Sequence, residues 1–456
     1  MNFFSKIGWI SIGFVLLVSF NSFCQVAPTP PMGWNSYNSF GSSVHEDEVK
    51  ANADYMVKNL KQYGWKYIVV DFCWSYANPP GSTVGNPFQS QLKDGSYIPW
   101  LNMDEYGRLL PDEKKFPSAR DGKGFKPLAD YVHSLGLKFG IHIMRGIPRQ
   151  AIWANSKVMG TNTTAAAVAD TNSRCPWLNH MFGVDLKKEG AQEYYNSIIN
   201  LYASWGVDYI KMDDASSRSG YYESEVEAVH KAIQQCDRPI VLSLSPGQPF
   251  KSNELMQKNA NAYRISGDFW DNWKQLKRQF DHCREWAPVS GPERWPDADM
   301  LQIGKISKRG PEGVERFSQL NEDEALTHVT LWTIFRSPLM MGGNMVENTP
   351  FVTGLLTNPE VLAVNQNSNN SHELYRGDST IIVWVSQVNN SKDWNVAFFN
   401  LDSMVREITI DFSAIGILQK CKVRDLWKKE DLGEFKKQFA QKINPHGTAL
   451  FRLSAL

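Results

Sequence analysis

Between residues 27 and 365, short apolar runs alternate with stretches whose apolar residues recur every three or four positions. That is the pattern of strands buried on both faces of a parallel sheet and separated by amphipathic helices. Runs at 32–35, 67–72, 138–144, 208–213, 240–245, 262–266, a short one near Pro288 and one at 300–303 predict strands. Helical periodicity over 46–63, 125–135, 191–205 and 224–235 falls between them. Eight such units in about 340 residues match a (β/α)8 barrel. Insertions are expected near 75–117 and 147–190, each after a strand and therefore over the face where a barrel keeps its chemistry. Beyond residue 365 the texture becomes strict alternation with polar turns, at 380–385, 394–400, 407–412, 420–425 and 447–453. This predicts a barrel domain over 27–365 followed by an antiparallel β-sandwich over 372–456.

One run breaks the apolar rule. Val207-Asp208-Tyr209-Ile210-Lys211-Met212-Asp213-Asp214 carries a lysine inside a strand that ends in carboxylates. A buried ammonium requires a partner, and alternation puts Lys211 and Asp213 on the same face. Two readings stand at this point: a structural ion pair, or a cation that keeps a nucleophilic carboxylate ionised.

The chain begins with Lys6, an apolar run over 7–20 and a polar exit at 21–25, the form of a secretory signal occupying residues 1–24. A secreted or periplasmic protein follows from that reading; an uncleaved anchor and a lipid on Cys24 are the alternatives. Of the 456 residues, 42% are hydrophobic and 21% charged, as in ordinary globular proteins. Lys plus Arg and Asp plus Glu balance at 48 each, so nothing in the charge favours nucleic acid. Beyond Cys24 the cysteines are Cys73, Cys175, Cys236, Cys283 and Cys421, an odd number at wide spacing. They predict mostly buried thiols, with at most one or two bridges, and no CxxC metal signature.

The predicted strand ends carry Trp34 and Tyr37, Asp71 and Trp74, His142 and Arg145, Lys211 and Asp213, Ser243 and Ser245, Arg264 and Asp268, then Trp295, Asp297 and Asp299. Carboxylates, bases, hydroxyls and aromatic rings converging on one face suit an oligosaccharide or polysaccharide substrate. No Gly-rich phosphate loop interrupts them. Of nine histidines, His142 alone falls at a predicted strand end, so neither a metal nor another cofactor is expected. Asp213 and Asp268 are the two carboxyls that glycoside hydrolysis needs on either side of the scissile bond.

Pro30-Pro31-Met32-Gly33-Trp34-Asn35-Ser36-Tyr37-Asn38, Tyr67-Ile68-Val69-Val70-Asp71-Phe72-Cys73-Trp74 and Leu137-Lys138-Phe139-Gly140-Ile141-His142 resemble ordered motifs of glycoside hydrolase family 27. This is the family of α-galactosidases and α-N-acetylgalactosaminidases. The likeness continues through the Asp213 strand, Arg264 to Asp268 and Trp273, Trp295-Pro296-Asp297-Ala298-Asp299-Met300-Leu301, Ser337-Pro338-Leu339 and Val364-Asn365-Gln366. The resemblance implies a retaining exo-glycosidase acting on terminal α-D-galactosyl residues. In it Asp213 is the nucleophile and Asp268 the acid/base. Lys211, Arg264 and Asp71 bind sugar hydroxyls, Trp34 packs near the ring, and a C-terminal β-sandwich follows the barrel.

Four departures touch the expected pocket. Phe72 stands where the family commonly has a second acid that binds the sugar, which suits a sugar with no polar group on C5, such as β-L-arabinopyranose. A Phe72 turned into the core is the other reading. Ser245 replaces a larger acidic residue and leaves room for an acetamido group, the N-acetylgalactosaminidase pattern. His142 replaces a usual tyrosine. Asp214-Ala215-Ser216 replaces a small residue followed by a disulfide cysteine, so the loop after the nucleophile must be held in another way, with Asp214 the candidate.

Overall fold

The computed structural model describes residues 25–76, 89–91, 97–99, 101–175, 177–178, 180–217, 220–247, 249–310 and 314–456. The expected signal segment, 1–24, lies outside the described residues, as does part of the 75–117 insertion. Among the described residues no helix is long and apolar enough to cross a membrane.

Eight parallel strands form the barrel: β1 (Met32–Asn35), β2 (Tyr67–Val70), β3 (Lys138–Met144), β4 (Tyr209–Asp213), β5 (Val241–Leu244), β6 (Ala262–Arg264), β7 (Trp295–Asp297) and β8 (Leu339–Met341). They lie in sequential order, and β1 pairs with β8. Just past β7, Leu301 bridges Met341 in parallel and completes the ring. Helices over Glu46–Asn59, Lys126–Ser134, Ala191–Ser204, Glu223–Gln235, Asn253–Asn259, Trp273–Trp286 and Glu322–Phe335 follow the first seven strands. Two short ones, Pro350–Thr357 and Pro359–Gln366, follow the eighth.

Two strand expectations are corrected. The run near Pro288 is a 3-10 turn, Ala287–Val289, that closes the helix before β7. The apolar segment 300–303 contributes a single bridge, and the eighth strand is Leu339–Met341. Both true strands are three residues long, and β7 contains Pro296, so neither makes a run long enough to stand out.

Alternation along the strands sorts the barrel interior into layers. Tyr67, Val69, Tyr209, Val241, Ala262, Trp295 and Met340 are packed together as a small apolar cluster within the barrel. Gly33 is required there: a Cβ would stand 2.5 Å from the Tyr67 carbonyl oxygen. Asn35, Lys211, Ser243, Ser245, Arg264 and Asp297 line a cavity above that plug. The opposite phase, with Trp34, Ile68, Val70, Ile141 and Met212, faces the helices in the main core.

The 147–190 insertion folds into a three-stranded antiparallel sheet of Ile147–Pro148, Ala169–Arg174 and Met181–Val184. The C-terminal sandwich opposes a six-stranded sheet, containing β9 (Ser368–Gly377), β10 (Ile381–Val388) and β11 (Trp394–Asn400), to a two-stranded pair, Arg406–Asp411 with Gln438–Ile443. Its core holds Val383, Val385, Phe398, Ile408, Phe439 and Phe451. The outer phase of β10 and β11, with Trp384 and Phe399, joins the barrel's own core. The helix Glu322–Phe335 is caught between the two bodies. A capping box starts it, with Asn321 Oδ1 accepting the Glu324 N–H at 3.0 Å and Glu324 Oε2 accepting the Asn321 N–H at 3.1 Å. From Thr327 to Phe335 every residue is buried.

Candidate active site

The C-terminal strand ends surround a cavity of about 190 Å³ lined by Tyr37, Asp71, Phe72, Trp177, Lys211, Asp213, Ser245, Arg264, Asp268, Trp270 and Asp299, among others. Asp71, at the end of β2, is 1% exposed. Its Oδ2 accepts from Asn35 Nδ2 at 2.7 Å and from Lys211 Nζ at 2.9 Å. Burial by itself would raise the Asp71 pKa; the Lys211 and His142 charges and the Asn35 bond outweigh it and bring the carboxyl to about 2. Lys211 is therefore ion-paired with Asp71 rather than directly with Asp213, and contributes to Asp213 through its field.

Asp213 ends β4. Its Oδ2 lies 3.3 Å from His142 Nε2, and its Oδ1 accepts the Asp214 N–H at 2.8 Å. Burial again works against ionisation; the His142 bond and charge, the Lys211 charge and the Asp214 N–H overcome it, and the pKa lies below its ordinary value. The histidine that departs from the family pattern is thus a direct partner of this carboxylate.

Asp268 sits at the rim with its side chain 64% exposed, and its Oδ1 accepts from Arg264 Nη2 at 3.3 Å. Arg264 is committed more tightly to buried Asp299, at 2.7 Å. Asp299 Oδ2 also accepts the Phe269 N–H at 2.8 Å, which ties down the segment that carries Asp268. Burial pushes the Asp299 carboxyl up to about 6, against the pull of Arg264. Asp299 stood among the strand-end residues, but its spacing gave no hint that it anchors the Asp268 loop.

Phe72 lines the cavity. Its ring meets Tyr37 edge-on at 5.9 Å and His142 edge-on at 5.7 Å, and leans on Trp177 of the second insertion at 6.2 Å. Ser245 lines the same cavity and is 3% exposed. Trp34 does not line it. Fully buried, it donates from Nε1 to the Gly343 carbonyl at 2.9 Å and packs on Phe40. The expected contact of Trp34 with a sugar ring is corrected: strand phase sends Asn35 inward and Trp34 outward. Tyr37, one of the predicted strand-end residues, and Trp177 of the insertion, which spacing did not mark, supply aromatic surface at the cavity. Among the described residues no group of three or more metal-ligating side chains comes together, and the five cysteines among them are free thiols.

A β-L-arabinopyranosidase of glycoside hydrolase family 27 from Geobacillus stearothermophilus is 49% identical in sequence and superposes with a TM-score of 0.89, over 94% of this chain and 97% of that one. The chain belongs to glycoside hydrolase family 27. Family models agree: one described as alpha galactosidase A matches residues 186–367, and one for the alpha galactosidase C-terminal beta sandwich domain matches 378–453. A candidate α-N-acetylgalactosaminidase from Bacillus halodurans is 42% identical with a TM-score of 0.83, over 95% of this chain and 99% of that one. An α-galactosidase from Oryza sativa subsp. japonica is 26% identical over 430 residues, 93% of this chain and 85% of the relative. This family 27 protein is a glycoside hydrolase with the barrel-and-sandwich architecture of these relatives.

Proposed function

We propose that this enzyme is an extracytoplasmic, retaining exo-glycosidase that releases terminal β-L-arabinopyranosyl residues. Asp213, held ionised and oriented by His142 and the Asp214 N–H, attacks the anomeric carbon while Asp268 protonates the departing glycosidic oxygen. Asp268 then takes a proton from the water that hydrolyses the glycosyl–Asp213 ester. An exposed acid at the rim fits this role, because it must face the aglycone and exchange protons with solvent. Asp71, Lys211 and Arg264 are the charged groups available to sugar hydroxyls.

The observation that carries the glycone assignment is Phe72 in the cavity wall. Where the family pattern has a carboxylate, this wall is a ring backed by Trp177. A hydroxymethyl group on C5 of galactose forfeits its charged partner there, at a cost of about 1–3 kcal/mol for an unpaired polar group. A bare C5 forfeits nothing. The similarity to an arabinopyranosidase over nearly the whole chain supports the same reading, as does a variant of that enzyme solved in complex with arabinose. α-D-Galactosides, the substrates of the ordinary family pattern, are then turned over more slowly. Ser245 supports α-N-acetylgalactosaminides as a second reading, since a small side chain leaves space beside the 2-substituent. Extracytoplasmic action is supported by the basic-then-apolar start of the chain.

A panel of nitrophenyl β-L-arabinopyranoside, α-D-galactoside and α-N-acetylgalactosaminide tests the assignment. The first is expected to give the largest kcat/KM; a preference for either of the others replaces it. Mass spectrometry after incubation with a 2-fluoro β-L-arabinopyranosyl donor is expected to find the adduct on Asp213.

A further inference from the structure

We propose that the Arg145–Asp214 ion pair is the clasp that sets the Asp213 carboxylate for attack, a positioning role that rests on the reading of Asp213 as nucleophile. One of the two bonds that orient that carboxylate is the Asp214 N–H, which donates to Asp213 Oδ1 at 2.8 Å. Asp214 holds it with φ of 53°, a left-handed conformation that costs a non-glycine residue about 1–2 kcal/mol. Such a conformation persists where the surroundings over-determine it.

Arg145 does so from four directions. Its own N–H donates to the Asp213 carbonyl at 3.0 Å. Its Nε donates to the Asp214 carbonyl at 3.0 Å and to Asp214 Oδ2 at 3.2 Å, and its Nη2 to the same oxygen at 2.8 Å. One residue therefore grips the carbonyls on both sides of the N–H that aims the nucleophile, with its backbone on the Asp213 side and its guanidinium on the Asp214 side.

Arg145 is itself immobilised. Nη1 donates to Glu225 and, at 3.0 Å, to Ser173 Oγ of the second insertion, and the Tyr222 ring centroid lies 3.4 Å from the guanidinium carbon. Glu225 is held in turn by the Tyr195 hydroxyl and by the Val184 N–H at 3.0 Å. Both side chains of the pair are 1% exposed. Buried ion pairs are weak sources of stability, because desolvation offsets much of their attraction. What this one supplies is geometry. It lies in the segment Asp214-Ala215-Ser216, where the family pattern has a small residue followed by a disulfide cysteine. Gly183 keeps the space open, since a Cβ there would stand 2.7 Å from Ser173 Cβ and Oγ and 2.8 Å from Arg145 Nη1.

Asp214→Gly separates positioning from folding. Glycine relaxes the left-handed backbone, so a purely structural Asp214 yields a variant with unchanged kcat. Glu225 still pairs with Arg145, so no cation is orphaned. The clasp predicts a melting temperature within a few degrees of the parent, a KM within about twofold and a kcat lowered about 100-fold, the scale of a misplacement near 1 Å. Gly183→Ala, which crowds Arg145 and its partner Ser173 from the insertion side without touching Asp214, is expected to show the same kcat–KM split. Parental kcat in both variants, with Asp213→Asn inactive, overturns the clasp. Full activity in Asp213→Asn instead overturns the nucleophile assignment beneath it.

Discussion

Lys211 Nζ lies 2.9 Å from Asp71 Oδ2, across the barrel interior, rather than against Asp213 two residues further along its own strand. Two residues of extended chain advance about 6.6 Å, so sharing a face does not bring Lys211 to the carboxylate of Asp213. The lysine neutralises the acid assigned to sugar binding and leaves Asp213 to His142 and the Asp214 N–H.

Removing Lys211 therefore leaves Asp71 as a buried unpaired charge. Lys211→Met is expected to destabilise the fold by about 3–5 kcal/mol and to lower kcat/KM by at least about 100-fold. The double variant Lys211→Met, Asp71→Asn is expected to regain most of the stability and none of the activity. Urea unfolding with parallel kinetics checks this. Recovery of activity in the double variant would show that the pair is structural alone.

Substituting Phe72 tests the glycone wall. Phe72→Asp is expected to raise kcat/KM for nitrophenyl α-D-galactoside by about 10-fold or more and to lower it for the β-L-arabinopyranoside, which inverts the ratio. If both rates fall together, Phe72 holds the pocket's shape without choosing the sugar.

Trp34 belongs to the core, and its variants report stability. Trp34→Phe leaves the buried Gly343 carbonyl without its donor, a loss of about 1–3 kcal/mol. The melting temperature is expected to drop while KM stays within about twofold. A KM rise without a stability loss would return Trp34 to the sugar site.

Stability falls on acidification through buried histidines. His180 and His328 are held neutral by burial, each with its pKa down to about 3 from an ordinary 6.5. The bond from the Gln302 N–H to His328 Nε2, at 2.9 Å, requires that nitrogen unprotonated. The unfolded chain takes up these protons first, so their stabilisation is complete above pH 6.5 and is lost as pH falls toward 3. Asp214 and Asp299 act oppositely. Burial raises both to about 6, so they favour the folded state as pH drops below that value. Burial also raises Glu225 and Asp297 and lowers His230, but the shifts of His180 and His328 are the largest of the set, so the histidines set the direction. The urea midpoint is expected to fall from pH 8 to pH 5, and His328→Leu to lower it at pH 8 while flattening the slope. A midpoint that rises toward pH 5 contradicts this balance.

Legible from the residues alone were the barrel's first six strands, the alternating texture of the sandwich and the convergence of Asp71, His142, Asp213, Arg264 and Asp268 on one face. Strands buried on both sides read as apolar runs, and their polar ends stand out against them. The sequence could also single out Phe72 and Asp214, because each departs from an ordered motif. Tertiary structure alone decided the rest. β7 has Pro296 at its centre and β8 follows directly on Pro338, each only three residues long, so both emerged from barrel closure. Whether Phe72 faces core or cavity depended on Trp177, more than 100 positions away, arriving beside it. The partner of Lys211 and the grip of Arg145 on Asp214 are contacts between the ends of different strands. Spacing along a chain records which side chains share a face; it does not record which of them come within hydrogen-bonding distance when the sheet closes.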